Sequence, residues 1–296
     1  MKHPLTPKEN IRIAPYTSMR VGGEVRYLYR PETEAQLAEV IRFCKGEGLP
    51  YLVIGNASNL LFPDEGFDGA VIATTGIKEI RLEEGRIVAS CGASLSALSV
   101  FAMEQGLKGL AFAFGIPGTV GGGVYMNAGA YGGEISDCLE SVRCLNGAGE
   151  EVILAKEELG LSYRHSRLQE EELFLLSAAF RCEEGDPKEI KGEMDKNMNA
   201  RKEKQPLEYP SCGSAFKRPA GYYAGALIQE AGLKGYRIGG AEVSVKHAGF
   251  IVNRGGATAG DVIALMEHIK QVIYDREGIM IEAEIRYLAP KGEEKL

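Results

Sequence analysis

The sequence predicts an α+β protein, because helical and strand patterns follow one another without the regular rhythm of a doubly wound sheet. Two segments, 80–90 and 141–154, are typical of hairpins of antiparallel strands. Two others combine a helix start signal with an apolar face, beginning at Thr33 and Thr258. The length of 296 residues leaves room for two domains and a substantial core.

The first part of the chain opens with a capped helix. Thr33-Glu-Ala-Gln36 is a capping box, and the apolar residues that follow it recur at helical spacing until Gly46. Apolar runs predict strands at 51–54 and 70–73, and Glu83-Glu-Gly85 predicts the turn between strands 80–82 and 86–90. A helix is predicted over 94–105, with Gly106 as its C-terminal cap.

The second part contains the best candidate for a domain boundary. Asp186-Pro187 opens a long helix that ends before Pro206, and its stretch 191–204 is charged with few apolar positions. Before it, Asn146-Gly147 predicts a hairpin of strands 141–145 and 151–154, and 174–181 predicts a strand. After it, the patterns predict a helix at 222–231, a strand at 249–253, an amphipathic helix at 258–276 and an alternating strand at 279–287.

Composition excludes several classes of function. The net charge of −7 and the absence of a long basic run argue against a nucleic-acid partner. No apolar run approaches the roughly 20 residues of a membrane span, and the first residues lack the apolar core of a signal peptide. We therefore expect a cytoplasmic protein without a membrane partner, and nothing implies an obligate protein partner.

The six cysteines predict neither a zinc site nor a disulfide framework, because no two of them form a Cys-x-x-Cys pair. Most are expected to be small buried apolar residues. No metal is expected.

The segment 115–133 is the most informative part of the chain. It is rich in glycine, and glycine lets another molecule approach the main chain and its N–H groups closely. Dinucleotide diphosphates need such a surface. The segment fits neither Gly-x-Gly-x-x-Gly nor a P-loop. It therefore indicates a dinucleotide held by another fold, with a glycine-rich surface loop as the alternative.

Three later segments carry polar residues with catalytic potential, and each also has a plainer explanation. Two arginines and a tyrosine in Ser162-Tyr-Arg-His-Ser-Arg167 suit an anion, although a solvated loop would look similar. Gly213-Ser214, followed by Lys217 and Arg218, presents a hydroxyl near positive charge, although serine is common in turns. Glu282 and Glu284 share one face of the last predicted strand, which is either a cleft or a solvent-exposed face.

Taken in order, these segments resemble the UDP-N-acetylenolpyruvoylglucosamine reductases, flavoenzymes of peptidoglycan precursor synthesis. The resemblance runs from about Ile13 to Leu288. Each motif alone is modest evidence, but their joint order and spacing are specific. The matching motifs are Arg20-Val-Gly-Gly23, Gly55-Asn-Ala-Ser-Asn-Leu-Leu61, Gly115-Ile-Pro-Gly-Thr-Val-Gly121, Asn127-Ala-Gly-Ala-Tyr131, Tyr163-Arg-His-Ser166, Gly213-Ser-Ala-Phe-Lys217, Ala231-Gly-Leu-Lys-Gly235, Lys246-His-Ala-Gly-Phe-Ile-Val-Asn253 and Ile281-Glu-Ala-Glu-Ile-Arg286.

The resemblance implies an FAD-binding domain of the vanillyl-alcohol-oxidase type at 1–200, in two lobes of about 1–80 and 81–200, and a C-terminal α+β substrate domain at 201–296. FAD is expected to be noncovalent, because the only histidines of the first domain, His3 and His165, lie outside the flavin loops. The residues implied in FAD binding are Gly55, Asn56, Ala57, Ser58, Asn59, Leu60, Gly115, Pro117, Gly118, Thr119, Gly121, Gly122, Asn127, Gly129 and Ala130.

The resemblance also implies the reaction and its catalytic residues. NADPH gives hydride to flavin N5, and the enolpyruvyl ether of UDP-N-acetylglucosamine enolpyruvate then takes hydride at C3 and a proton at C2, giving UDP-N-acetylmuramate. Ser214 is the implied proton donor. Arg164 and Glu284 are implied to stabilise the enolate, with Glu284 as a protonated acid or through a hydrogen bond. The implied substrate-binding residues are Tyr163, Lys217, Arg218 and His247.

Two departures from the family pattern stand out. Ala57 occupies a position where glycine is expected, and the chain resembles the shorter form of the family, without the tyrosine-bearing loop that covers the nucleotide. Two alternatives stay open at this point. One is an FAD oxidase of the same fold that acts on an alcohol or lactone. The other is a non-catalytic dinucleotide-binding protein, which would not need Arg164, Ser214 and Glu284 together.

Overall fold

The computed structural model describes residues 2–289 and 292–295. The chain forms two compact units that are not contiguous in sequence. Unit 1 comprises Met1–Lys8, Tyr27–Asn56 and Gly69–Arg201. Unit 2 comprises Glu9–Arg26, Ala57–Asp68 and Lys202–Leu296. The second unit thus combines the C-terminal part with two short segments from the first quarter of the chain, which no local pattern in the sequence indicates.

The helices begin where the sequence provides caps. Thr33, Ser94 and Thr258 each accept a hydrogen bond from a backbone N–H of the first turn, so these side chains satisfy donors that would otherwise be unpaired. The helices are α1 (Glu34–Gly46), α2 (Leu95–Glu104), α3 (Val120–Tyr125), α4 (Ile135–Cys138), α5 (Pro187–Lys204), α6 (Ala224–Glu230) and α7 (Ala259–Glu277). Short 3₁₀ turns lie at Ala14–Tyr16, Thr74–Gly76, Ala111–Ala113, Lys156–Leu159 and Arg167–Gln169.

The strands of the first half belong mainly to two larger sheets. One has the order β1-β2-β5-β3, with β3 and β5 parallel, and the other is antiparallel with the order β12-β11-β13-β7-β6. Two pairs, β10-β9 and β14-β8, stand apart. The strands are β1 (Lys8–Arg12), β2 (Glu24–Tyr29), β3 (Tyr51–Ile54), β4 (Leu60–Leu61), β5 (Phe67–Ala73), β6 (Ile80–Glu83), β7 (Arg86–Ser90), β8 (Leu107–Lys108), β9 (Gly129–Ala130), β10 (Gly133–Glu134), β11 (Leu139–Leu145), β12 (Glu151–Ala155), β13 (Phe174–Phe180) and β14 (Glu183–Glu184).

Two further sheets, of four and three strands, lie in unit 2. One has the order β15-β18-β17-β16, and the other has the order β20-β19-β4, in which β4 and β19 are parallel. Their remaining strands are β15 (Ser211–Ser214), β16 (Arg237–Ile238), β17 (Ala241–Val243), β18 (Phe250–Asn253), β19 (Arg286–Ala289) and β20 (Gly292–Lys295). β15 and the segment before β19 carry Ser214 and Glu284, two of the residues predicted to be catalytic.

Both predicted hairpins are confirmed, because β6 pairs with β7 and β11 pairs with β12. The predicted helices also form, within about two residues of their expected ends. The continuous strand predicted over 279–287 is wrong in its first part, because β19 begins only at Arg286. Residues 279–285 do not form a regular strand, and their ladder contact is a single bridge from Ala283 to Phe216. The alternation in the sequence still reflects burial, since Ile281 and Ile285 are buried.

Each unit has its own hydrophobic core. In unit 1 the apolar faces of α1 and α2 pack with the five-stranded antiparallel sheet, and in unit 2 the apolar face of α7 packs with residues of α6 and β18. The division of function between residues 1–200 and 201–296 stays a prediction. Within the described residues, no helix has the length and apolar character needed to span a bilayer.

All six cysteines are free thiols, and five of them are buried. Burial raises the pKa of the Cys44, Cys91 and Cys144 thiols, which therefore stay protonated and pack as apolar side chains.

Candidate functional site

Two predicted flavin loops meet in unit 1. The amide Nδ2 of Asn56 donates to the carbonyl of Pro117 at 3.1 Å. Gly55 faces Thr119 so closely that a Cβ on Gly55 would lie 2.2 Å from the Thr119 Oγ1. The structure therefore brings together the start of the 55–60 loop and the 115–123 segment, and glycine at position 55 is required by the close approach of Thr119.

The 115–123 segment has donors available for a bound diphosphate. The amides of Val120 and Gly121 donate to the carbonyls of Ala93 and Cys91, at 2.8 Å each, so they are already satisfied. Gly118 and Thr119 are buried, yet within the described part of the chain their amides donate to no protein acceptor. Buried amides are rarely left unpaired. An acceptor such as a phosphate oxygen would satisfy them, so this segment fits a dinucleotide.

The neighbouring glycines have different environments. The amide of Gly122 donates to the side chain of Thr119, which caps α3, and a Cβ on Gly122 would meet only that hydroxyl at 3.7 Å. Gly129 and Ala130 form β9 against β10, and a Cβ on Gly129 would lie 2.9 Å from the Glu134 Cβ. Gly129 is therefore needed for local packing, whatever its contact with a cofactor.

Asn127 connects this segment to the Tyr163–Arg164 turn. It is fully buried, and its backbone φ is +39°. Its Nδ2 donates to Glu134 Oε1 at 3.0 Å and to the carbonyl of Ser162 at 3.2 Å, and its Oδ1 accepts from the amide of Ser136 at 3.0 Å. Asparagine suits this position because it tolerates the left-handed region and can make all three bonds.

Tyr163 and Arg164 occupy a tight turn. The amides and carbonyls of Ser162 and His165 hydrogen-bond to each other at 3.1 and 3.2 Å, so the two residues between them project from the end of the turn. Arg164 has φ +57°, a conformation that costs an ordinary residue about 1–2 kcal/mol. Its guanidinium lies 4.9 Å from the centre of the Tyr163 ring. Strain of this kind is typical of functional positions.

The side chains of Gln169 and Ser166 hold this turn. Gln169 Nε2 donates to the carbonyls of Arg164 and Tyr125, at 3.1 and 2.7 Å. The buried hydroxyl of Ser166 also donates to the carbonyl of Tyr125, at 2.8 Å. Ser166 is the last residue of the Tyr163-Arg-His-Ser166 motif, whereas Gln169 lies outside the motifs and nothing in the sequence distinguishes it from a solvated polar residue.

In unit 2, Ser214 and Glu284 lie on facing extended segments. Ser214 ends β15 and is paired with Phe250 of β18. The amide of Ala215 donates to the carbonyl of Gly249, and the amide of Glu284 donates to the carbonyl of Ala215, both at 2.8 Å. The structure thus brings these two residues to neighbouring backbone positions, although 69 other residues separate them in the sequence.

The second half of the 55–60 loop joins the same segment. Asn59 Nδ2 donates to the carbonyl of Glu284 at 2.9 Å, and the carbonyl of Asn59 accepts from the amide of Arg286 at 3.0 Å. Leu60 then pairs with Arg286 in the parallel β4–β19 ladder. A loop predicted to bind flavin and a segment predicted to carry a catalytic acid are therefore hydrogen-bonded to each other.

Ala57 and Ser58 lie between these anchors. Ala57 is buried with φ +46°. The left-handed conformation explains why glycine was expected there, and alanine adopts it at a cost in strain.

Cys212 has a structural role. Its thiol donates to the carbonyl of Leu60 at 3.4 Å, and burial raises the pKa of this thiol to about 12. The group is thus protonated at neutral pH, which argues against a thiolate mechanism.

The predicted substrate residues of unit 2 differ in their surroundings. Lys217 Nζ lies 3.1 Å from Glu282 Oε2, so its charge is partly neutralised. The exposed guanidinium of Arg218 lies 4.7 Å from the centre of the Tyr223 ring. His247 Nδ1 accepts from the amide of Gly249 at 3.1 Å, and burial, assisted by Lys234, lowers the pKa of this histidine. Its ring is therefore neutral near pH 7, with the proton on Nε2.

Comparisons with known proteins agree with this arrangement. The family model described as "UDP-N-acetylenolpyruvoylglucosamine reductase, C-terminal domain" matches residues 205–288, and the model described as "FAD binding domain" matches residues 25–155. These matches confirm the predicted fold class, an α+β chain with an FAD-binding domain of the vanillyl-alcohol-oxidase type followed by a C-terminal domain.

Individual relatives extend the match to nearly the whole chain. The UDP-N-acetylenolpyruvoylglucosamine reductase of Lactobacillus delbrueckii subsp. bulgaricus is 48% identical, over 97% of this chain and 96% of the relative. That of Caldicellulosiruptor saccharolyticus is 48% identical, over 92% and 89%. The crystal structure of the Thermus caldophilus reductase superposes with a TM-score of 0.80 at 35% identity, covering 95% of this chain and 99% of that one. On this evidence the chain belongs to the UDP-N-acetylenolpyruvoylglucosamine reductase family.

Proposed function

We propose that this protein is a UDP-N-acetylmuramate dehydrogenase, which reduces the enolpyruvyl ether of UDP-N-acetylglucosamine enolpyruvate to UDP-N-acetylmuramate in peptidoglycan precursor synthesis. The observation that carries the proposal is the backbone pairing of the Ser214 and Glu284 segments, with Asn59 of a flavin loop bonded to the latter. In a member of this family, a hydroxyl and a carboxyl group held at that loop are suited to protonating a carbon atom and stabilising the charge beside it.

The cofactor we propose is noncovalent FAD, with NADPH as the reductant. Bound FAD would supply hydride transfer, which no side chain can perform. The buried amides of Gly118 and Thr119 would hold its diphosphate, and the close packing of Gly55 against Thr119 would keep side chains out of its path.

The histidines support noncovalent binding. His3 packs against Tyr27, Tyr29 and Phe43, and its Nδ1 lies 2.5 Å from the Tyr29 hydroxyl. His165 Nε2 faces Glu170 at 3.4 Å. Both imidazole rings thus contact protein side chains, which favours noncovalent binding of the flavin. The cytoplasmic location expected from the sequence stays a prediction.

Arg164 and Glu284 would stabilise the negative charge that develops on the substrate carboxylate. The guanidinium of Arg164 is permanently cationic and can bind both oxygens of a carboxylate. Its position in a two-residue turn, fixed through Gln169 and Ser166, orients it before the substrate arrives. Glu284 would act as a protonated acid or hydrogen-bond partner, because a bare carboxylate would repel the developing charge.

Ser214 would donate the proton to C2. A neutral serine is a weak acid, but the carbanionic C2 is a strong base, so transfer is favourable once the hydroxyl is in place. The backbone of Ser214 is held by β18 on one side and by the Glu284 segment on the other, through Ala215. Such a scaffold fixes a small side chain that has few rotamers of its own.

Lys217 and Arg218 would bind the diphosphate of the substrate, with Tyr163 and His247 as further contacts. Lys217 forms an ion pair with Glu282, so the ammonium group of Lys217 would leave or share that carboxylate when it binds the diphosphate. Neutral His247 would donate a hydrogen bond from Nε2 and would not act as a cation.

The test is product formation by purified protein. Incubated with NADPH and the enolpyruvyl nucleotide, it should release UDP-N-acetylmuramate, detected by mass spectrometry as a gain of two hydrogens, and heat should release FAD. An oxidase of the same fold would instead consume oxygen with an alcohol or lactone and leave the enolpyruvyl nucleotide unchanged. A flavin-free protein that FAD cannot reconstitute would contradict the proposal.

A further inference from the structure

Arg201, on helix α5, is bound to the first residue of the glycine segment. Its Nη1 donates to the carbonyl of Gly115 at 2.7 Å. Gly115 has φ +86°, and a Cβ there would lie 3.4 Å from the Arg201 Cδ and 2.7 Å from the Met198 Cε. The arginine side chain therefore packs directly against the backbone that leads to Gly118 and Thr119.

The charge of Arg201 is buried without a carboxylate. The residue is 8% exposed, and among the described residues no acidic side chain forms an ion pair with it. Its Nε is buried and has no hydrogen-bond partner in the described chain. Other arginines of unit 1 contact glutamates, as Arg86, Arg143, Arg167 and Arg181 do. A buried cation without a counter-charge is costly, so the site favours an anion.

Asn197 adds a second unsatisfied donor, one helical turn before Arg201. It is 7% exposed, and its Nδ2 is buried without a partner among the described residues. Residues four apart lie on the same face of a helix. Among the described residues, the Arg201 cation thus lies against the backbone that leads to the unpaired amides of Gly118 and Thr119, and Asn197 adds an unsatisfied donor one turn away on the same face of α5.

We propose that Arg201, supported by Asn197, is a cofactor-binding residue that holds the Gly115 turn and contributes its positive charge to binding the diphosphate of FAD. The inference deepens the proposed function and rests on it, because FAD is the anion concerned. Guanidinium hydrogen bonds to phosphate are charge-assisted and stronger than those to neutral acceptors. The contact would supply the counter-charge that Arg201 does not have among the described residues.

The experiment compares Arg201→Met with Lys196→Met. The second variant removes the same charge from an exposed position on the same helix. FAD dissociation constants are measured by the fluorescence of flavin released from diluted holoenzyme, and deflavinated protein is also titrated with riboflavin, which lacks phosphates. Arg201→Met should raise the FAD dissociation constant about 10- to 100-fold and leave that of riboflavin unchanged. Lys196→Met should change neither by more than about twofold.

A conservative variant and a fold control complete the test. Arg201→Lys keeps the charge and should bind FAD more tightly than Arg201→Met. Circular dichroism melts of the flavin-free proteins show whether each variant is folded, and dissociation constants are compared only among folded proteins.

Two results would overturn the proposal: an unchanged FAD constant in Arg201→Met, or equal losses for FAD and riboflavin, which would leave Arg201 with only a loop-holding role. The proposed function fails separately, if the wild-type protein binds FAD and does not reduce the enolpyruvyl nucleotide.

Discussion

The two regions that carry the predicted catalytic residues are built in different ways. The Tyr163–Arg164 turn of unit 1 has a non-glycine residue at positive φ and is held by the side chains of Gln169, Ser166 and Asn127. The Ser214 and Glu284 segments of unit 2 are held mainly by backbone hydrogen bonds, to β18 and to each other, and the side chain of Asn59 adds one bond to the Glu284 carbonyl. Side chains thus position the predicted catalytic residue of unit 1, whereas mainly backbone groups position those of unit 2.

The difference predicts how each region responds to mutation. Where the backbone holds a residue, its side chain can be replaced with little structural effect, so changes at Ser214 report on chemistry. Where side chains hold a strained turn, removal of a support affects folding as well. The following variants test this contrast, beginning with the largest expected effect.

Ser214→Ala should slow the substrate-dependent step about 10²- to 10⁴-fold, because it removes the proton donor. Reduction of bound flavin by NADPH should change by less than about twofold, and so should the melting temperature. Stopped-flow absorbance of the two half-reactions separates these effects. The control is Ser211→Ala, at the other end of β15. Equal slowing of both half-reactions would remove Ser214 from the role of proton donor.

Arg164→Gly should lower turnover about 10²- to 10³-fold through loss of the cation. Its free energy of unfolding should stay within about 1 kcal/mol of the wild-type value, because glycine relieves the strain at φ +57° while adding entropy to the unfolded chain. Arg164→Lys, which keeps both charge and strain, should retain more activity. Steady-state kinetics and urea denaturation measure the two effects. Strong destabilisation by glycine would show that the turn depends on the arginine side chain.

Asn127→Ala should lower the free energy of unfolding by about 2–4 kcal/mol, because three buried hydrogen bonds are lost and partners are left unsatisfied. The exposed Asn199, on α5, provides the matched control, and Asn199→Ala should change stability by less than about 0.5 kcal/mol. Denaturant titrations measure both. Equal stabilities of the two variants would contradict the role assigned to Asn127.

The smallest expected effect is a pH dependence from His247. Burial lowers its pKa in the folded protein below the ordinary value of 6.5, so the unfolded chain binds a proton more readily. This contribution to stability is present above pH 6.5 and is lost as pH falls below it, by up to about 1.4 kcal/mol at pH 5.5. His247→Gln should therefore show a smaller loss of stability between pH 7.5 and 5.5 than the wild type. Identical pH profiles would contradict it.

Much of the fold could be predicted because its signals are local. The capping box at Thr33 forms, the helices predicted to begin at Ser94 and Thr258 begin there, and the hairpin turned at Asn146-Gly147 forms as expected. The interruption before β19 could not be predicted, because residues 279–285 alternate like a strand while their partners, the segment around Phe216 and the Asn59 loop, are distant in sequence. Unit 2 could not be predicted for the same reason, because its three segments, 9–26, 57–68 and 202–296, are distant from one another in the sequence.

The sequence predicted the residues of the site that lie within family motifs, but not all of the residues that support them. Family motifs point to residues that face substrate or cofactor, such as Ser214 and Arg164, since those residues lie within the motifs. They include some of the side chains that hold these residues, such as Asn127 and Ser166, but not all of them. Gln169 lies in an ordinary polar loop and Arg201 in a highly charged helix, and only tertiary structure shows that the first binds the Arg164 carbonyl and the second the Gly115 carbonyl.

The proposed reaction is tested most directly by anaerobic mixing of NADPH-reduced protein with UDP-N-acetylglucosamine enolpyruvate, followed by the visible absorbance of the flavin. We expect the bleached flavin to regain its yellow colour and UDP-N-acetylmuramate to form in equal amount. A flavin that stays bleached with the enolpyruvyl nucleotide, and regains its colour only on admission of oxygen, would contradict it.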